Sequence, residues 1–341
     1  MNADYGALVG FPLLASISLL AAAAGALLLR GARLTNHKQQ LTTSYVGDEI
    51  LGFRWPLWVL IVTIVFLAAN QLLVRGVAIG RWDVDGQFFP YYVLVADHAR
   101  AASLVQWDPW SSGGLPMLGD PQVGAFSPVN FVLGLITGGT SWGFRLYWLL
   151  LWWLGGFGML MLGRHLRAPA WGACVVALGF LLCGVYTGNA EHTSWITAFS
   201  FLPITIWRLD AALTSGKLWP AAEAGAVWGL SALAGYPAVI ILTGCFAGLW
   251  GLGRWLTDKT WEVERPGRGS DQEAAARHLR LGFVLSALFT VLLVGGIVLL
   301  PTYVAFFFEG AGTNSRVGAL TREVALSNSL EPGALATFAS P

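Results

Sequence analysis

Apolar runs alternate with short polar connections along most of this 341-residue chain. A run of about 17 to 25 apolar residues is long enough to cross the hydrocarbon core of a bilayer as a helix. Eight runs fit that template, at 7–29, 55–73, 144–162, 169–187, 193–207, 218–234, 237–252 and 281–304, the fifth and seventh being short. The pattern predicts an all-α polytopic membrane protein with about eight transmembrane helices in a single transmembrane domain, 1–341.

One connection breaks the rule of short turns. Between the second and third runs lies a polar, proline-broken loop, 76–143, dense in acids, aromatics and turn residues. Within it Phe88, Tyr91, Tyr92, Val95 and Ala99 recur on one face of a helix, so the spacing predicts an amphipathic helix over 87–105 lying in the membrane interface. The stretch 126–138 is apolar but short, and it contains Pro128 and Asn130, which marks it as an interfacial or re-entrant piece. A second exposed piece is the tail, 305–341. It stops at Ser340-Pro341 without a terminating element, as a fragment of a longer chain does.

Composition agrees. The chain is 55% hydrophobic and 11% charged, with a mean hydropathy of +0.62, outside the range of soluble globular domains. Seventeen tryptophans, many at the ends of apolar runs, fit the aromatic belts of the membrane surface. Cys174, Cys183 and Cys245 all lie in apolar runs and form no metal or disulfide pattern. Met1 to Gly6 carries Asp4 and no cation, so it lacks the basic start of a secretory signal, and the first run reads as a retained helix.

The net charge of +1 points to no partner, and nucleic acid is not among those expected. Its distribution gives the orientation, since Lys and Arg stay on the cytoplasmic side. With the N-terminus outside, the inner connections hold 14 of the 20 cations, six of them in the cytoplasmic loop 254–280, where 271–279 is expected to form a short helix. Both termini and the loop 76–143 then lie outside the cell membrane.

The candidate chemistry sits in that loop. Asp83 and Asp85 stand just ahead of the predicted interfacial helix. Asp85 either caps the helix by accepting from its free amides, or one of the pair accepts a proton from a hydroxyl, or the two hold a divalent cation such as Mg or Mn. Trp107-Asp108-Pro109-Trp110 and Gly119-Asp120-Pro121-Gln122 describe a rigid, irregular loop that is either a lid or a platform on which a sugar ring stacks. Beyond it, His192 at a helix end and Arg316 in the tail are candidates for an oxyanion, against the plainer readings of a local cap and an interfacial anchor.

Several segments, in order, carry a resemblance. Asp85-Gly86-Gln87-Phe88-Phe89-Pro90, Gln106-Trp107-Asp108-Pro109, Gly114-Leu115-Pro116, Pro121-Gln122, Phe126-Ser127-Pro128-Val129-Asn130, His192-Thr193-Ser194-Trp195, Ala234-Gly235-Tyr236-Pro237, Leu300-Pro301-Thr302 and Ser315-Arg316 together resemble the YfhO-type bacterial membrane proteins, a branch of the GT-C superfamily of glycosyltransferases. The resemblance covers most of the chain from Asp83 onward. Two departures stand out: an extra helix, 7–29, precedes the usual first one, and Tyr236 stands where the family usually has His.

The resemblance implies a GT-C-like fold whose first outer loop is catalytic, acting on a polyprenyl-phosphate-linked sugar drawn from the bilayer. The acceptor class is a cell-envelope glycan, teichoic acid or protein. It implies Asp85, with Asp83 as neighbour and rival, as the general base, and Gln87, Trp107, Asp108, Gln122, His192, Tyr236 and Arg316 around the substrate. A transporter or flippase of lipid-linked saccharides, and a non-catalytic scaffold for envelope assembly, are the alternatives.

Overall fold

A computed structural model describes residues 55–77, 83–111, 114–184, 186, 191–257 and 270–309, with side chains in the last segment from 281 to 307. The expected helix at 7–29, the polar residues from 258 to 269 and the tail with Arg316 lie outside the described residues.

The described chain is mostly helical. It runs through α1 (Trp55–Ala69), α2 (Gln71–Val74), α3 (Phe89–Arg100), β1 (Trp107–Asp108), β2 (Leu115–Pro116), α4 (Pro128–Thr137), α5 (Ser141–His165), α6 (Ala170–Leu181), α7 (Thr193–Ser200), α8 (Leu202–Ser215), α9 (Trp219–Ala232), α10 (Pro237–Thr257) and α11 (Ser270–Glu309). Four stretches are long and apolar enough to cross a membrane: α5, α7 with α8, α10, and 281–307 of α11. At 1.5 Å per residue the 25 residues of α5 extend about 37 Å. α1, α4 and α6 are shorter apolar helices of 15, 10 and 12 residues.

α5 is the axis of the fold. Thr140 caps it, its hydroxyl accepting from the Gly143 amide at 3.3 Å, and the chain leaves it through Arg167 at φ 60° ahead of Pro169. Trp148, Trp152, Trp153 and Phe157 recur on its buried faces. In an apolar interior an indole must still find an acceptor, and two of these do: Trp152 donates to the Leu181 carbonyl and Trp153 to the Thr63 hydroxyl, each at 2.9 Å. Gly156 lets α6 approach so closely that a Cβ there would lie 2.4 Å from Leu181 Cδ1. The flank is built differently: Gly225 and Gly229 on α9 bring the backbone of α11 near, as small residues do between membrane helices.

The connections gather at two ends. At the basic end Arg164 lies over the Trp55 ring, 5.5 Å from its centroid, and His165, Asp210 and Arg254 meet. At the loop end lie α3, the β1–β2 pair, α4 and the start of α7. α3 and α4 pack backbone to backbone, a Cβ on Gly134 falling 2.7 Å from Ala96 Cα. Val95, Val105, Met117, Val123 and Ala125 make a small core of their own beneath the loop.

Four expectations need adjustment. The interfacial helix stops at Arg100, because the chain turns at Ala102 with φ 51°. Asp85 does not cap it: the chain enters α3 through a π-helical turn, Val84–Phe88, and no side chain bonds to its first amides. The fifth run continues past Trp207 to Ser215. The short helix expected at 271–279 is the first part of α11, which is 40 residues long.

Candidate functional site

The π-helical turn fixes where the two candidate acids go. Val84 and Phe88 are buried in the core and hold the turn down, leaving Asp85 and Gly86 exposed at its crest. Asp83 precedes the turn and faces α7, its Oδ2 lying 2.9 Å from Nδ1 of His192. The other imidazole nitrogen lies 3.9 Å from Glu191 Oε1. His192 therefore stands between two carboxylates, all three partly exposed to solvent.

His192 is itself positioned by the start of α7. Its carbonyl accepts from the Trp195 amide at 2.9 Å. Ser194, two residues on, is the pivot of the site. Its hydroxyl donates to Gln122 Oε1 at 3.3 Å, and its carbonyl accepts from the Tyr236 amide at 3.0 Å. The Tyr236 ring stacks on Trp195 with centroids 5.1 Å apart. Gln122 is set in a 3-10 turn, Pro121–Val123, whose amide at 122 donates to Asp120 at 2.9 Å.

Behind this row lies a small recess of about 10 Å³, room for roughly one water molecule. Its lining includes the aromatic side chains of Phe88, Tyr92, Phe144 and Tyr147 and the polar ones of Gln122, Asn130, Thr193 and Ser194. The Tyr92 hydroxyl shares a hydrogen bond of 2.7 Å with Thr137. Burial pushes that phenol above its usual range, more than the Thr137 bond lowers it, so it stays protonated and can donate. Two polar atoms of the lining residues, Asn130 Oδ1 and Thr193 Oγ1, are buried without a hydrogen-bond partner. A buried polar atom left unsatisfied is costly; Asn130 Oδ1 is an acceptor in need of a donor, and the Thr193 hydroxyl could donate or accept.

Asp83, Gln122, His192 and Tyr236 are thus brought together around the first turn of α7, though they lie far apart in sequence. Asp85 and Gln87 stand beside them on the π-helical turn. Trp107 and Asp108 do not join. Trp107 is half exposed and lies over Gly114, whose φ of +113° and missing Cβ leave room for the ring. Asp108 is buried, with one oxygen accepting from the Trp110 amide at 2.9 Å and the other from the Ser111 hydroxyl; both are used in holding the turn.

Among the described residues no group of three or more His, Cys, Asp or Glu is arranged to hold a metal ion.

At the basic end sits a cluster that the sequence did not announce. Asp210 is fully buried and accepts from His165 Nε2 at 2.9 Å, Trp250 Nε1 at 2.8 Å, and Arg254 Nε and Nη2 at 2.5 and 2.7 Å. Arg208 pairs with Glu223 nearby on the neighbouring helix. The available signal was positional: His165, Asp210 and Arg254 each fall near the end of a helix running the same way.

The fold and this arrangement define a helical protein with several spans fit for a membrane and a polar, aromatic-lined site at one end of them. No protein-family model, no curated protein and no solved structure matches the chain.

Proposed function

We propose that the chain is a membrane glycosyltransferase of GT-C type, moving a sugar from a polyprenyl-phosphate donor to an acceptor hydroxyl at the extracytoplasmic face. The observation that carries this reading is the contact between Asp83 and His192, next in the chain to Thr193 and Ser194, which line a small recess with aromatic and polar side chains. Aromatic faces suit the C–H surface of a sugar ring, and amides and hydroxyls suit its hydroxyls.

In this reading a carboxylate of the loop takes the acceptor's proton. The acceptor oxygen forms its bond to the anomeric carbon as the bond from that carbon to the phosphate oxygen breaks, and the polyprenyl phosphate leaves with the electron pair. Configuration is inverted. Asp83 is the better placed acid, because His192 fixes its orientation, while Asp85 on the exposed crest is its rival. His192 also supplies a donor toward developing negative charge. Arg316 belongs to the same proposal as a phosphate ligand.

Transfer of labelled sugar by the purified protein, reconstituted with polyprenyl-phosphate donors, tests it. Asp83→Asn keeps the shape and removes basicity, and general-base catalysis is worth on the order of 10²–10⁴ in rate. A loss of that size with Asp83→Asn and unchanged transfer with Asp85→Asn is the expected outcome. Full activity of both variants removes the assignment of the base to either acid, and absence of transfer by the wild type removes the enzyme reading. Movement of a lipid-linked saccharide between leaflets without transfer establishes the flippase alternative instead.

A further inference from the structure

A cation is buried at the loop end of α5 with no anion beside it among the described residues. Arg145 is 4% exposed. Its Nη1 reaches the Ser141 hydroxyl at 3.4 Å, near the limit of a hydrogen bond. Its Nε has no hydrogen-bond partner. The ion pairs among the described residues join other side chains, so no carboxylate neutralises it.

Two further features sharpen the anomaly. Arg145 lies four residues into a 25-residue helix, near the end where the helix dipole is positive and disfavours a cation. Gly76 lies against the guanidinium, where an added Cβ would come within 3.1 Å of Nη2 and 3.3 Å of Cζ. The Gly76 backbone thus packs directly on the guanidinium, and a side chain at that position would crowd it. Burial, an unsatisfied N–H and a positive helix end all favour an anion, and a buried charge is ordinarily paired.

We infer that Arg145 holds a phosphate oxyanion of a membrane lipid at the loop end of α5. The planar guanidinium matches two phosphate oxygens, and the helix end adds its partial charge. A bilayer phospholipid and a polyprenyl phosphate offer the same group at this depth. The inference does not rest on sugar transfer, since a lipid can sit there in an enzyme, a transporter or a scaffold.

Delipidated protein in a neutral detergent, followed by thermal melting and native mass spectrometry, tests it with four additives: phosphatidylglycerol, a polyprenyl monophosphate, diacylglycerol and inorganic phosphate. Expected is a rise in melting temperature and a retained adduct with the phospholipid or the polyprenyl phosphate, and neither with diacylglycerol. The stronger of the two identifies the occupant. Arg145→Gln weakens the adduct on the order of tenfold or more. Arg145→Met removes an uncompensated charge, so in lipid-free detergent it melts at or above wild type while losing the lipid-dependent rise.

Equal lipid responses in wild type and both variants overturn the inference. So does a marked loss of stability in Arg145→Met without lipid, because the guanidinium then serves the fold. A rise of the same size with inorganic phosphate alone counts against a lipid occupant.

Discussion

Asp83 and Asp108 are both loop aspartates near tryptophans, and nothing in their sequence context separates a reactive carboxylate from a structural one. The difference lies in what each oxygen touches. Asp108 spends both on its own turn, whereas Asp83 reaches across the site to His192. Asp108→Ala leaves the Trp110 amide and Ser111 hydroxyl without that acceptor and is expected to destabilise the loop by about 1–3 kcal/mol. The change should appear as faster proteolysis between residues 107 and 116. Its effect on the Asp83–His192 contact should be small, so a transfer assay that falls as far with Asp108→Asn as with Asp83→Asn would show that Asp108 takes part directly.

Helices were the most legible elements. The third run, 144–162, forms α5, Ser141–His165; of the face Phe88, Tyr91, Tyr92, Val95 and Ala99, four are buried and Tyr91 is half-buried. Boundaries failed where a charge interrupted the pattern. The fifth apolar run ends at Trp207, yet α8 continues to Ser215 with Arg208 and Asp210 in it, and His165, Trp250 and Arg254 satisfy Asp210 inside the protein. Partners on α5 and α10 cannot be read from α8 alone. This cluster ties three helices, and breaking a buried pair from one side leaves an uncompensated charge. Arg254→Met is expected to cost about 3–5 kcal/mol, read as a lower melting temperature in detergent. The double variant Arg254→Met with Asp210→Asn should recover part of that loss.

At the scale of the whole molecule, the run pattern conveyed a membrane protein with one elaborate end, and the described helices agree with that much. Which residues of that end meet was not legible, because the site is assembled from segments around 83, 122, 192 and 236 through contacts such as Ser194 to Gln122. Orientation is an expectation from the cation count alone. It is tested with single cysteines in a background lacking Cys174, Cys183 and Cys245: Ser103→Cys at the loop end should react with an impermeant maleimide on intact cells, and Ser215→Cys at the basic end only after permeabilisation. The reverse result would put the candidate site in the cytoplasm and end the proposal of an extracytoplasmic transferase.

Burial is distributed unevenly around the bundle. The apolar window of α5 is 78% buried, that of α10 28% and that of α11 22%. Leu285, Phe289, Leu292, Ile297 and Leu300 stand outward on α11, as Ile241, Leu242 and Leu249 do on α10. A molecule dissolved among acyl chains therefore meets, on this flank, a greasy ridge of leucine, isoleucine and phenylalanine.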